Sequence, residues 1–161
     1  MSDEKLTYQN AATWEQCRDV TIGTNPWVET NVPFLERFTH RDSVLDFACG
    51  LGRQIGALAP KFVAVDGFDY PNMLKAMKPE QSGAYRNLES EWKVVRERKY
   101  DLIYSCVALQ HIGENDELIS YLEDFTRMSR FLLVRSRWYE ENTGANILHL
   151  LDMFGTLIRW S

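Results

Sequence analysis

Residues 43–58, "SVLDFACGLGRQIGAL", decide the fold. An apolar run of strand length carries an acidic residue, Asp46, and passes through a short glycine turn into "RQIGALAP". That last segment reads as a helix ended by Pro60. Strand, tight turn and helix in this order form the first half of a βαβ unit.

Working outward, "FVAVDGFD" (62–69) reads as a second strand and "YPNMLKAMKP" (70–79) as a short helix opened near Pro71 and closed near Pro79. "GAYRNLESEW" (83–92) holds a weak third strand, "KYDLIYSCVAL" (99–109) a clear fourth and "RFLLVRS" (130–136) a fifth. The apolar content of the fourth is that of a strand covered by helices on both faces. In "ENDELISYLEDFTRMS" (114–129), capped by Asn115 or Asp116, the residues Ile119, Leu122, Phe125 and Met128 mark one helical stripe. "NPWVETNVPFLERF" (25–38) reads as a helix broken near Pro33, and the tail "GANILHLLDMFGTLIRWS" (144–161) as another amphipathic helix. Alternating strands and helices predict an α/β fold: a Rossmann-like, doubly wound, mostly parallel sheet of about five strands with helices on both faces. Ligands of such sheets bind beyond the carboxyl ends of the strands where the winding reverses, which gathers the glycine turn, Asp69 and the residues after Ser105 along one edge.

Composition narrows the partners. The chain has 161 residues, 45% of them apolar, and a formal net charge of −5, which suits one domain and argues against a nucleic-acid-wrapping surface. Arg127, Arg130, Arg135 and Arg137 crowd one region but read as ordinary surface charge. Three scattered cysteines (Cys17, Cys49 and Cys106) show no metal-ligand spacing, so no metal is expected and a reducing, cytoplasmic location is. The acidic start "MSDEKLTYQN" is unlike a targeting peptide, and no apolar run approaches the roughly 18 residues of a membrane span.

The glycine turn is a poor phosphate cradle. Gly50 and Gly52 fit the first two positions of G-x-G-x-x-G, but Ile55 occupies the third and no Gly-Lys-Ser/Thr follows. Asp46 would repel a pyrophosphate and attract a cation. Asp69, 23 positions later at the end of the second strand, is placed to accept hydrogen bonds from two ribose hydroxyls. Taken singly, the glycines are turn residues and Asp69 is a cap for the helix at Pro71; taken together they describe a site for a nucleoside joined to an amino acid.

In these residues the chain resembles the class I S-adenosylmethionine-dependent methyltransferases. "VLDFACGLGR" looks like that family's first motif with Ala48 in place of its first glycine, "VDGFDYPNML" like its second-strand motif, and "YDLIYSCVALQHI" like its fourth-strand motif. The resemblance implies S-adenosylmethionine as cofactor, with Asp46 orienting the methionyl amine and Gly50 and Gly52 allowing close approach. Ala48 and Cys49 would lie beside the ligand, Asp69 would hold the ribose and Tyr70 would flank the adenine. The adenine contact after the third strand falls among Asn87, Leu88 and Glu89; Val107 would lie near the methionyl moiety, with Gln110 and His111 further along.

The implied function is methyl transfer to an acceptor, most simply a small molecule, since "SCVALQHI" lacks the Asn/Asp-Pro-Pro-aromatic motif of the adenine and glutamine methyltransferases. His111 is the candidate base where the acceptor must lose a proton. Cys106 reads as a small core thiol, and His40 and His149 as packing or surface residues. Tyr8 and Trp14 are candidate lid aromatics in a segment 1–40 ahead of a cofactor-binding core 43–136 and a C-terminal helix 137–161. The resemblance implies a helix and two closing strands after the fifth, and the residues after 136 leave no room for both, so the fifth strand is expected as an uncovered edge, open to a homodimer or a partner subunit. The competing reading is a non-catalytic cofactor-binding domain that needs a partner to complete its active site.

Overall fold

The structure is a computed structural model that describes residues 39, 41–106, 108–109, 112, 115–135 and 156–159. The expected lid segment with Tyr8 and Trp14, the helix over 25–38, Cys17, His40, Val107, Gln110, His111, Arg137 and His149 lie outside the described residues.

The strands are β1 (Ser43–Phe47), β2 (Ala64–Phe68), β3 (Asn87–Glu89), β4 (Leu102–Cys106), β5 (Phe131–Arg135) and β6 (Thr156–Arg159), in the spatial order β3-β2-β1-β4-β5-β6. The first five pair in parallel, as the alternation of strands and helices predicts, and β6 pairs antiparallel to β5. Between them lie α1 (Ile55–Leu58), α2 (Pro71–Ala76), α3 (Pro79–Ser82), α4 (Trp92–Val95) and α5 (Asn115–Met128). Pro71 and Pro79 each sit in a helix's first turn, where a missing N–H loses no hydrogen bond.

Alternation along the strands divides the core between the two faces of the sheet. Val44, Val65, Tyr104 and Leu133 join Ile55 and Leu58 of α1 and Met77 after α2 on one face. Leu45, Phe47, Phe68, Ile103 and Leu132 join Val95 of α4 and Leu118, Phe125 and Met128 of α5 on the other. Phe47 lies at the centre of an aromatic group with Phe68, Trp92, Tyr121 and Phe125, with ring centroids 4.9 to 5.5 Å away. A polar knot fixes β2 against β3. Arg86 Nε and Nη2 each donate to the buried Asp66 carboxylate at 2.8 Å, joined by Asn87 Nδ2 at 3.0 Å and the Tyr100 hydroxyl at 3.1 Å. Burial pushes the Asp66 carboxyl up, but the hydrogen bonds from Arg86 and Asn87 and the Arg86 charge outweigh it and hold it below its ordinary value.

Three expectations are corrected. Residues 156–159 form a strand, not part of a C-terminal helix. The outer edge of β5 is therefore covered by the same chain, and among the described residues β6 is the terminal strand of the sheet. On α5, Ile119 is exposed and Leu118 is the buried residue. The apolar stripe runs through Leu118, Phe125 and Met128, because residues 118, 125 and 128 share the face that meets β1, β4 and β5 while 119 is turned about 100° away.

Candidate functional site

The order β2-β1-β4 places the winding reversal between β1 and β4, so the segments that follow these strands diverge and leave a cleft. The backbone after β1 shapes its floor. Ala48, Gly50 and Gly52 all adopt positive φ, at 56°, 58° and 77°. Such angles cost an L-residue roughly 1 kcal/mol and glycine almost nothing. Ala48 therefore takes the strained path of the glycine it replaces in the motif. The turn is closed by the Cys49 N–H donating to Phe68 O at 3.1 Å and the Gly52 N–H donating to Cys49 O at 3.0 Å.

Two buried carboxylates meet at this floor. Asp46, within β1, accepts a 2.8 Å hydrogen bond on Oδ2 from the Tyr85 hydroxyl. Asp69, just beyond β2, accepts the Gly50 N–H on Oδ2 at 2.6 Å and its neighbour Tyr70's N–H on Oδ1 at 2.7 Å. It does not cap α2, whose N-terminal cap position is Tyr70. Burial pushes Asp46 up to about 7, opposed by the Tyr85 hydrogen bond and the Arg53 charge and reinforced by Asp69. Burial also raises Asp69, against the two backbone N–H groups that favour its ionised form. Burial and the Asp46 and Asp69 charges raise Cys49, buried beside both, well above an ordinary thiol, which disfavours its thiolate.

The cleft is lined by Asp46, Phe47, Ala48, Cys49, Gly50, Arg53, Gln54, Phe68, Asp69, Tyr70, Met73, Cys106, Ala108, Ile112, Glu117 and Tyr121. Six of the ten residues expected to hold a ligand (Asp46, Ala48, Cys49, Gly50, Asp69 and Tyr70) thus come together on its wall. Gly52 stands behind it: a Cβ there would sit 3.1 Å from Gln81 and 3.3 Å from the Met77 sulfur. Asn87 and Leu88 do not line the cleft. The Asn87 amide is engaged by Asp66, and Leu88 packs into the core beside Gly67. Val107 and His111 fall outside the described residues.

Several wall residues were not expected to touch a ligand. Cys106, expected as a core thiol, is half-buried on the wall and accepts a 3.6 Å hydrogen bond from Gln54 Nε2. Gln54 Oε1 in turn accepts the Tyr104 hydroxyl at 3.1 Å. Glu117 and Tyr121 come from one face of α5, an i,i+4 pair that the helical period places side by side. Tyr85, the partner of Asp46, lies outside every motif and comes to it across β2.

With two buried carboxylates and one arginine on its wall, the cleft suits a ligand that brings positive charge and hydroxyl groups rather than a phosphate. The described residues contain no group of three or more side chains able to hold a metal, and none of their helices is long and apolar enough to cross a membrane.

No family model matches the chain, and no curated protein matches it in sequence. Solved structures do match. One is an S-adenosylmethionine-dependent methyltransferase from Clostridium acetobutylicum, 21% identical, with TM-score 0.64 over 86% of this chain and 59% of that one. CalS10, an amino pentose methyltransferase from Micromonospora echinaspora solved with S-adenosylmethionine bound, is 17% identical, with TM-score 0.62 over 79% and 57%. DesVI from Streptomyces venezuelae is 16% identical, with TM-score 0.63 over 84% and 61%. The chain spans less than two thirds of the length of these three proteins. In its parallel sheet and its strand order the chain has the Rossmann-like fold of the S-adenosylmethionine-dependent methyltransferases.

Proposed function

We propose that the chain binds S-adenosylmethionine in this cleft and transfers its methyl group to a small-molecule acceptor. The observation that carries the reading is the pair of buried carboxylates, Asp46 and Asp69, on one wall with a glycine turn between them in the chain. Asp46 is assigned the methionyl ammonium. Asp69 is assigned the ribose hydroxyls, its orientation fixed by the Gly50 and Tyr70 N–H groups. The positive-φ backbone from Ala48 to Gly50 allows close approach of the ligand, and Tyr70, half exposed at the mouth, flanks the adenine. Val107 is placed beside the methionyl moiety by the motif alone.

A bound sulfonium supplies an already activated leaving group for in-line displacement, so the chain's task is to hold and orient. Where the acceptor has a proton to lose, His111 is assigned to take it, on its place in the sequence after β4. A small-molecule acceptor is supported by the company the fold keeps: CalS10 is an amino pentose methyltransferase and KedS8 a sugar N-methyltransferase.

Calorimetry with S-adenosylhomocysteine tests the ligand. The wild-type chain should bind it, and Asp69→Ala should lose about tenfold or more in affinity, as expected for removing charge-assisted hydrogen bonds. Unchanged affinity in the variant would show the ribose assignment to be wrong. Incubation with labelled S-adenosylmethionine and a metabolite extract tests the activity. Binding without label transfer to any component would reduce the chain to a cofactor-binding subunit.

A further inference from the structure

Tyr85 has no place in the motifs, yet its route to the cleft is built into the sheet. It precedes β3, whereas Asp46 lies on β1, and β2 runs between them. The phenol crosses β2 at Gly67, which is the register partner of Asp46. A Cβ on Gly67 would come within 3.0 Å of the Tyr85 ring and 2.7 Å of Leu88 Cδ2, closer than ordinary contacts allow. On its other side the ring packs under the glycine turn, 3.5 Å from where a Cβ of Gly52 would stand. Gly67 therefore opens a passage through which a buried tyrosine delivers its hydroxyl to Asp46 Oδ2.

We propose that Tyr85 is a positioning residue that orients the Asp46 carboxylate and thereby makes the cleft selective for nucleoside ligands carrying an ammonium group. The inference rests on the cofactor reading above and adds a residue and a selectivity to it. A hydroxyl that donates to one carboxylate oxygen fixes the plane of the group and favours its ionised form. The other titratable and charged groups bearing on Asp46 are Asp69 beyond β2, Arg53 and Cys49 in the turn after β1, with Glu117 of α5 on the same cleft wall. Tyr104, the register partner of Asp46 on β4, directs its hydroxyl to Gln54 instead.

The test compares two ligands across pH. S-adenosylhomocysteine carries the ammonium, and 5′-methylthioadenosine is the same nucleoside thioether without it. For Tyr85→Phe, S-adenosylhomocysteine affinity at pH 7 should fall about fivefold relative to wild type, and the gap should close as pH rises toward 9. Methylthioadenosine affinity should stay within about twofold, which also reports that the fold is intact. Equal losses for both ligands, or no loss for either, would overturn the proposal. Should the variant not fold, Tyr85→3-fluorotyrosine decides, since it keeps the ring's shape and makes the hydroxyl a stronger donor: S-adenosylhomocysteine affinity at pH 6 should rise while methylthioadenosine stays level. No change for either ligand, or an equal change for both, would again overturn it. If the wild-type chain binds neither ligand, the cofactor reading itself falls and this inference goes with it.

Discussion

Asp46 is held in an environment that opposes its charge, and that has a consequence for stability. Its folded pKa of about 7 lies above the ordinary value of 3.8. Below about pH 4 the carboxyl is protonated in folded and unfolded chains alike and contributes no difference. As pH rises from there to about 7 the unfolded chain releases this proton more readily, so stability falls across that window and stays reduced above it. Asp46→Asn keeps the shape and an acceptor for the Tyr85 hydroxyl while removing the charge. In denaturant titrations it should be more stable than wild type by roughly 1–3 kcal/mol at pH 8, with the gain vanishing toward pH 4. The same variant should lose S-adenosylhomocysteine affinity. A stabilising substitution that removes binding is the signature of a residue kept for its ligand; equal stability at both pH values would show that burial does not disfavour the charge.

At the scale of the elements, a part-buried hydrogen bond ties α4 to α5. The Trp92 indole N–H donates to Asp124 Oδ2 at 2.7 Å, and Asp124, itself buried, also meets Arg127. Trp92→Phe should cost about 1–3 kcal/mol in chemical denaturation, because Asp124 is left short of a partner away from water and the aromatic group around Phe47 loses a wide ring. Denaturation within about 0.5 kcal/mol of wild type would mean that Arg127 and water suffice for Asp124. Elements whose identity is local were legible: β1, β2, β4 and β5 are short apolar runs cut by prolines and polar residues, and α2 is opened by Pro71. So were the cleft residues carried by those runs, from Asp46 to Gly50 and from Asp69 to Tyr70. Residues 156–159 were not, because "TLIR" follows "ILHLLDMF", whose 3.6-residue pattern extends over it, and only pairing with β5 some 25 positions earlier makes it a strand. Tyr85 was hidden for a similar reason. Its role exists only once three strands lie side by side, and the one local hint is Gly67, a glycine inside a fully buried strand that marks a close approach.

For the molecule as a whole, the sheet order determines both where the cleft opens and what protects the sheet. β1 and β2 supply the carboxylates and β4 the opposite wall, so their parallel register fixes the site before any loop is added. β6 does a different task. It pairs with Phe131 to Val134 of β5 and so covers the backbone of a strand whose Leu132, Leu133 and Val134 are fully buried. An apolar strand with unpaired N–H and C=O groups is a template for pairing with another chain. Ending the chain at residue 155 should therefore lower the thermal midpoint and convert the protein into larger species in size-exclusion chromatography with light scattering. S-adenosylhomocysteine binding to the fraction that remains folded should survive, because β5 separates β6 from β4 and no residue of β5 or β6 lines the cleft. A truncated chain with an unchanged elution profile and an unchanged thermal midpoint would show that β5 is protected without β6.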